Sequence, residues 1–251
     1  MKHLIWILFG LFLSACHTTQ APTDFTYTEV QTSSFKFAAW QKITDEKAPL
    51  KIYIEGDGYA FNRYGMPSSD PTPHSRFWQS AAFSDPSSNV IYLGRACQYV
   101  DDTSCQTADW TTARFSKKAV DGTYEAILQM AGNRPIILIG YSGGAQIAGL
   151  TAVLHPDLNI RKLITVAGNL DHSGWTRLKN LKPLDGSLDL NDYRAAFLKL
   201  DSLHFIGDKD AVIPRPISEQ FIADPARIVV VPNATHSSGW ENTLRKIYRL
   251  P

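Results

Sequence analysis

The stretch from Arg134 to Leu150 constrains the fold of this chain more than any other. Ile136 to Ile139 is an unbroken run of β-branched and aliphatic residues, preceded by Pro135 and followed by Gly140. Such a run reads as a strand buried on both faces. From Ala145 to Leu154 the residues are small and apolar, as a helix packed close to a sheet needs. Between the two lies Gly140-Tyr141-Ser142-Gly143-Gly144, a G-x-S-x-G sequence. On so sharp a strand-to-helix turn the serine hydroxyl is thrust out of the sheet, and the flanking glycines avoid Cβ clashes. The helix N-terminus places a positive dipole and free N–H groups beside that oxygen. Five residues alone are a weak signal; the strand before them and the helix after them supply the context.

The start of the chain has another character. Lys2 and His3 make a basic beginning, and Leu4 to Leu13 is apolar throughout. That run is shorter than the roughly 20 residues a helix needs to span a bilayer, and it has the form of a secretory signal. Its end, Leu13-Ser14-Ala15-Cys16, resembles the lipobox of bacterial lipoproteins. The resemblance implies a signal peptide over residues 1–15, a diacylated Cys16 as the new N-terminus, and a polar tether over residues 16–24. Several acyl chains, at about 0.8 kcal/mol per buried methylene, anchor a protein without any spanning segment. His17 stands where enteric-type lipoproteins retained in the inner membrane carry Asp, so the resemblance points to the outer membrane, facing the periplasm.

About 235 residues follow the signal, enough for one large α/β domain with a substantial core. With 25 basic and 24 acidic residues the formal net charge is +1, which gives no reason to expect nucleic acid as a partner. Once Cys16 is assigned to lipid, Cys97 and Cys105 remain, an even pair in an oxidising compartment, and a disulfide between them is expected. Closing so short a loop stabilises by roughly 2–3 kcal/mol on the chain-entropy model.

The remaining elements follow in a regular order. Phe25 to Trp40 alternates as an antiparallel hairpin does, with Phe25 and Tyr27, then Phe35 and Phe37. Lys51–Ile54 and Asn89–Leu93 read as strands, Ser116 to Met130 as a helix, then Lys162–Ala167, Leu203–Ile206 and Arg227–Val231 as strands, with a terminal amphipathic helix from Trp240 to Arg249. Strands alternating with helical stretches argue an α/β fold with a mostly parallel central sheet and helices on both faces.

Candidate reactive groups fall at strand ends. Gly207-Asp208-Lys209-Asp210-Ala211-Val212-Ile213-Pro214 follows one late strand and Asn233-Ala234-Thr235-His236 the last. In open α/β sheets ligands bind outside the carboxyl ends of the strands, where these loops and Ser142 can meet. The chain order Ser142, Asp210, His236 is that of the α/β-hydrolase fold. On Gly140–Gly144, Gly207–Pro214 and Ala234–His236 the chain resembles a bacterial α/β-hydrolase lipoprotein of the serine esterase, lipase or peptidase type, over nearly everything after the tether, residues 25–251.

The chemistry needs these residue types. A serine hydroxyl is a poor nucleophile until an imidazole takes its proton, and an acid must hold that imidazole in the useful tautomer. Of seven histidines, His3 and His17 lie in the signal and tether, His155 precedes a proline at a helix end, and His204 sits inside a buried strand. His74 and His172 are weaker loop candidates than His236. For the acid, Asp210 matches the family's loop, Asp208 is suited to capping the turn, and Asp171 stands after the preceding strand, where some relatives place it.

The loop after Lys51–Ile54 departs from the family pattern. One oxyanion donor is expected from the N–H of Gly143, and the second from a loop in which relatives often carry His-Gly. Here it reads Glu55-Gly56-Asp57-Gly58, and by position the backbone N–H of Asp57 donates. Carboxylates oppose an oxyanion unless they point away or are paired; Arg63, Arg76, Arg95 and Arg114 are available partners. The expectation is that Glu55 and Asp57 face solvent or cap the turn, with capture of a cationic substrate group as the alternative.

Two further segments are placed to shape a pocket: the long loop Tyr59 to Trp78, and residues 171–200, where hydrolases of this fold insert a cap. No metal-ligand spacing or cofactor motif is present, so no cofactor is expected. The reading is a serine hydrolase acting on a small-molecule carboxylic ester through an acyl-enzyme. The alternatives are an amidase or peptidase of the same fold, and an inactive envelope binding module.

Overall fold

Residues 21–250 are described by the structure, a computed structural model; the signal expected over residues 1–15 and the lipid site expected at Cys16 lie outside them. The strands are Thr26–Gln31 (β1), Lys36–Ile43 (β2), Leu50–Ile54 (β3), Asn89–Leu93 (β4), Ile136–Tyr141 (β5), Ile160–Val166 (β6), Ser202–Gly207 (β7) and Ile228–Val231 (β8). The helices are Phe77–Phe83 (α1), Thr107–Trp110 (α2), Lys117–Ala131 (α3), Gly143–Leu154 (α4), His172–Leu178 (α5), Arg194–Phe197 (α6), Arg215–Ile222 (α7) and Glu241–Tyr248 (α8). All eight strands form one sheet in the order β1-β2-β4-β3-β5-β6-β7-β8. The β1–β2 and β2–β4 pairs are antiparallel; from β4 to β8 every pair is parallel.

Alternation along the strands divides the core in two. Leu50, Ile52, Ile54, Ile136 and Leu138 face a layer that includes Val120 and Ile127 of α3, Ala145 and Ala148 of α4, and Phe221 of α7. Tyr53, Ile137, Ile139 and Tyr141 face Trp78 of α1 and Trp240, Leu244 and Ile247 of α8. Helix α4 is buried from Gly143 to Ala152, which explains why its sequence lacks a polar face. Each such Ile or Leu withdrawn from water stabilises the fold by about 1.5–3 kcal/mol. Ser116, read as the first residue of α3, stands just outside it as the cap, its hydroxyl accepting from Ala119 N at 3.2 Å. Lys51 is 4% exposed and its Nζ donates to the carbonyls of Ile247 and Tyr248, binding the C-terminal end of α8 to β3.

The sequence pattern does not announce α1, α2 or α7. Helix α1 has seven residues and closes a loop rich in Pro and Ser; α7 starts at the Pro214-Arg215-Pro216 segment, where proline suits a first turn. Residues 171–200 divide in two: α5 stands beside the cleft, whereas Leu190 and Phe197 are fully buried and pack against Gly149 of α4. Cys97 and Cys105 are joined by a disulfide, with Cα atoms 5.8 Å apart. Residues 21–24 form a turn in which Pro22 O accepts from Phe25 N at 2.9 Å.

Candidate active site

Ser142 occupies the turn between β5 and α4 with φ 52° and ψ −123°. A serine held there stores about 1–3 kcal/mol of strain, which only an over-determined surround can maintain. A Cβ on Gly140 would lie 2.6 Å from Ala145 Cα, and one on Gly144 2.3 Å from the Glu55 carbonyl oxygen. Glycine at those two positions is what lets β3, β5 and α4 meet so closely. Ser142 N donates to Val166 O at 3.0 Å, and Ser142 O accepts from Ala145 N and Asn169 N, both at 3.1 Å.

The Oγ of Ser142 lies 2.9 Å from His236 Nε2, and His236 Nδ1 lies 2.9 Å from Asp210 Oδ2. Asp210 follows β7 and His236 follows β8, and these loops adjoin because the two strands pair. Lys209 N donates across to Ala234 O at 3.0 Å. The Tyr141 hydroxyl donates to His236 O at 3.0 Å, and Trp240 Nε1 donates to Thr235 O at 3.0 Å, so the histidine loop is held from beneath. Asp210 is 6% exposed, and its Oδ1 accepts from the N–H groups of Val212 and Ile213 at 2.8 and 2.9 Å. Its other oxygen is thereby turned to the imidazole. A neutral ring with Nδ1 against a carboxylate carries its proton there and presents the Nε2 lone pair to Ser142.

The structure corrects one expectation here. Asp208 is exposed, and the turn it was expected to cap is capped by Asp210. Asp171, the other acid considered, caps α5 by accepting from Gly174 N at 2.7 Å.

On the other side of Ser142, Gly143 opens α4 and the Glu55–Gly58 loop lies against it. Among the described residues, neither Asp57 N–H nor Gly143 N–H donates to a protein acceptor. The carboxylates behave contrary to expectation: Glu55 is buried, and the half-buried Asp57 is paired rather than left to solvent. Glu55 is 3% exposed, with Oε1 accepting from Gly56 N at 2.7 Å and Oε2 from the Tyr92 hydroxyl. Asp57 is paired, Oδ1 with Arg95 Nη1 at 3.1 Å and Oδ2 with Arg114 Nη1 at 2.6 Å. Burial raises the Glu55 pKa to about 7 against the pull of the Tyr92 and Gly56 hydrogen bonds. Burial acts on Asp57 in the same sense, but Arg114 and Arg95 outweigh it and hold that carboxyl below its usual value. Of the four arginines offered by the sequence, these two make the pairing; Arg63 instead donates to the Tyr64 hydroxyl. Sequence reasoning did not single out Tyr92 or Gln98, whose Nε2 donates to Gly56 O at 3.0 Å.

The cleft above Ser142 has a volume of about 400 Å³. Tyr59, His74, Phe77 and Trp78 of the long loop and α1 line it, with Trp175 of α5 and Val212 and Ile213 of the acid loop. Trp175 Nε1 donates to Val212 O at 2.7 Å, which latches α5 to that loop. His74 stacks on Tyr59 at 4.0 Å between centroids, making it part of the wall. His204 lies between Thr165 and Ser202, its pKa lowered to about 3 by burial and by Arg227, as a core histidine. His155 caps α4 and bonds Asp121, and His172 is buried beside Phe115. Among the described residues, no group of three or more His, Cys, Asp or Glu is placed to hold a metal ion.

The sheet order, the layering and the strained turn after β5 together define the α/β-hydrolase fold. No family model matches the sequence, and no curated protein matches it. Solved structures do match over most of the chain. Est1E from Butyrivibrio proteoclasticus with ferulic acid bound is 18% identical, with a TM-score of 0.59 over 88% of this chain and 94% of that one. A bacterial membrane phospholipase A is 16% identical, with a TM-score of 0.58 over 89% and 84%. A serine hydrolase without a lid from Xanthomonas campestris is 12% identical, with a TM-score of 0.53 over 90% and 91%.

Proposed function

We propose that this protein is a serine hydrolase that cleaves a small-molecule carboxylic ester through an acyl-enzyme. The observation that carries the reading is the unbroken line from Asp210 through His236 to Ser142, with both contacts at 2.9 Å. His236 takes the Ser142 proton as Oγ attacks the carbonyl carbon, then gives it to the departing alkoxide. Water repeats the sequence in reverse and releases the acid. Asp210 holds the ring's tautomer and stabilises the imidazolium. The N–H groups of Gly143 and Asp57 receive the oxyanion. The aromatic and aliphatic lining of the cleft suits an apolar substrate portion. We further propose that the chain is a lipoprotein of the bacterial envelope, held at the membrane through Cys16.

A fluorophosphonate probe tests this. The wild-type protein is expected to label at Ser142, and Ser142→Ala is not; turnover of ester reporters should fall by about 10⁶ in the variant. Undiminished turnover in a folded Ser142→Ala protein refutes the reading. Cleavage of aminoacyl reporters but not esters assigns the enzyme to amides, and no labelling of the wild type favours the binding-module alternative.

A further inference from the structure

The Glu55-Gly56-Asp57-Gly58 loop touches the reactive turn directly: a Cβ on Gly56 would lie 3.2 Å from Ser142 Cβ. Its peptide planes are held one at a time. The Glu55–Gly56 plane is fixed by Glu55, whose Oε1 accepts from Gly56 N at 2.7 Å. The Gly56–Asp57 plane is fixed by Gln98, which is 1% exposed, accepts from Arg95 N at 3.0 Å, and donates to Gly56 O at 3.0 Å. No peptide among the described residues is cis. In a trans peptide the carbonyl and the N–H point in opposite directions. A carbonyl fastened to Gln98 therefore aims the next N–H, that of Asp57, away from Gln98.

We propose that Glu55 and Gln98 are positioning residues for the oxyanion hole, each fixing one peptide plane of the loop that presents the Asp57 N–H beside Ser142. The assignment rests on the hydrolase reading above. Glu55 differs from Gln98 in that it titrates. Facing it are Tyr92 on β4, Tyr99 and Arg95 in the loop after β4, and Tyr141 on β5, with Arg76 and Asp70 beyond Tyr99, Asp210 beyond Tyr141, and Asp57 two residues along its own loop and paired with Arg95. The Tyr92 and Tyr99 hydroxyls lie 2.9 Å apart. Burial is the largest influence on Glu55 and brings its pKa to about 7. As a carboxylate it accepts from Gly56 N–H and Tyr92 O–H together. Once protonated, one oxygen becomes a donor and the grip on the loop loosens. Glutamine at this position imitates the protonated form.

The two residues therefore predict different pH signatures in the rate of fluorophosphonate labelling, which needs no knowledge of the substrate. Gln98→Met is expected to label about tenfold more slowly than wild type at every pH, less than the loss from deleting an oxyanion donor outright. Glu55→Gln is expected to label about tenfold more slowly at about pH 8.5 and at nearly the wild-type rate at about pH 5.5, because the wild type then carries the same neutral group. The wild-type profile carries an added step near pH 7, and Glu55→Gln lacks it. If Glu55→Gln fails to fold, Tyr92→Phe serves: losing a donor to the carboxylate moves the step to higher pH. A wild-type/Glu55→Gln ratio that does not change with pH, a step that does not move in Tyr92→Phe, or a Gln98→Met variant as fast as wild type, overturns the proposal. Failure of the wild type itself to label overturns the hydrolase reading instead.

Discussion

Ser142 has ionisable groups on both sides, and the two sides arrange them differently. On one side Asp210 and His236 stand in a line, with one oxygen of Asp210 reserved for the imidazole and the line open to the cleft at its end. On the other, Glu55, Asp57, Arg95 and Arg114 are packed together, with Asp57 spending both oxygens on guanidinium groups. The first arrangement leaves a lone pair on Nε2 to do work. The second pairs the Asp57 charge beside Ser142, where the proposed hydrolase mechanism would develop an oxyanion. A carboxylate next to an oxyanion opposes it, and the paired arginines are what make Asp57 tolerable there.

The largest loss is expected on the Asp210 side. Asp210→Asn should lower kcat/KM by about 10⁴, because the amide can present the wrong partner to Nδ1 and select the wrong tautomer. Asp208→Asn, at an exposed position two residues away, should stay within about threefold of wild type. Steady-state kinetics on the two folded variants decides this, and an Asp210→Asn enzyme near wild type would remove the acid from the line.

Arg114→Gln probes the other side. Removing one partner from a buried ionic cluster destabilises by about 3–5 kcal/mol, since the remaining charges stay desolvated and lose their match. Denaturant unfolding should show that loss, and ester turnover at a temperature where the variant is folded should fall as Asp57 loses its stronger partner. An Arg114→Gln protein as stable as wild type would mean the cluster is dispensable to the loop.

Glu55 offers a third measurement through stability. Its folded pKa of about 7 lies above its ordinary value of 4.5, so the folded state keeps a proton that the unfolded chain releases between these pH values. The favourable contribution is complete below pH 4.5 and is lost as pH rises through 7, amounting to about 3 kcal/mol. Other carboxylates drive the total the opposite way, so the quantity to follow is the difference between wild type and Glu55→Gln. That difference should move in the variant's favour by about 3 kcal/mol from acid to pH 8, and a flat difference would show that Glu55 titrates normally.

The two sides were unequally legible in the sequence, for a physical reason. Ser142, Asp210 and His236 each stand in the loop after a strand, and residues at the carboxyl ends of parallel strands share one edge of the sheet, so their type and chain order could be read before the strand order was known. The elements around them were equally readable, because buried parallel strands show as apolar runs. The neighbours of Glu55 and Asp57 depend on order. Tyr92, Arg95 and Gln98 reach the loop because β4 lies beside β3, and no periodicity states which strands adjoin. The expectation of solvent-facing carboxylates followed from how seldom such groups are buried, and it failed because partners lay roughly 40 to 60 residues away in sequence. Helix α1 escaped for a different reason: seven residues after a Pro-rich loop give too little periodicity to read.

The smallest effect expected is that of the disulfide on rate. Cys97 lies between Arg95 and Gln98, which hold the loop from behind, so the Cys97–Cys105 bond is placed to matter for that side alone. Its sequence separation of 8 corresponds to roughly 2–3 kcal/mol of chain entropy removed from the unfolded state. Arg95 and Gln98 do not depend on it for their hold. Arg95 is buried over Phe115 and donates to Arg114 O, and Gln98 is clasped between Arg95 N and Gly56 O. The Cys97→Ala/Cys105→Ala protein should therefore melt earlier, with unfolding free energy lower by about 2–3 kcal/mol. Well below its melting temperature, it should label with fluorophosphonate within about twofold of the wild-type rate. Melting curves and labelling rates on the same preparation separate the two effects. A tenfold slower rate in a folded, disulfide-free protein would show that the bond helps set the loop's geometry as well as stabilising the fold, and the difference between the two sides of Ser142 would then extend to covalent restraint.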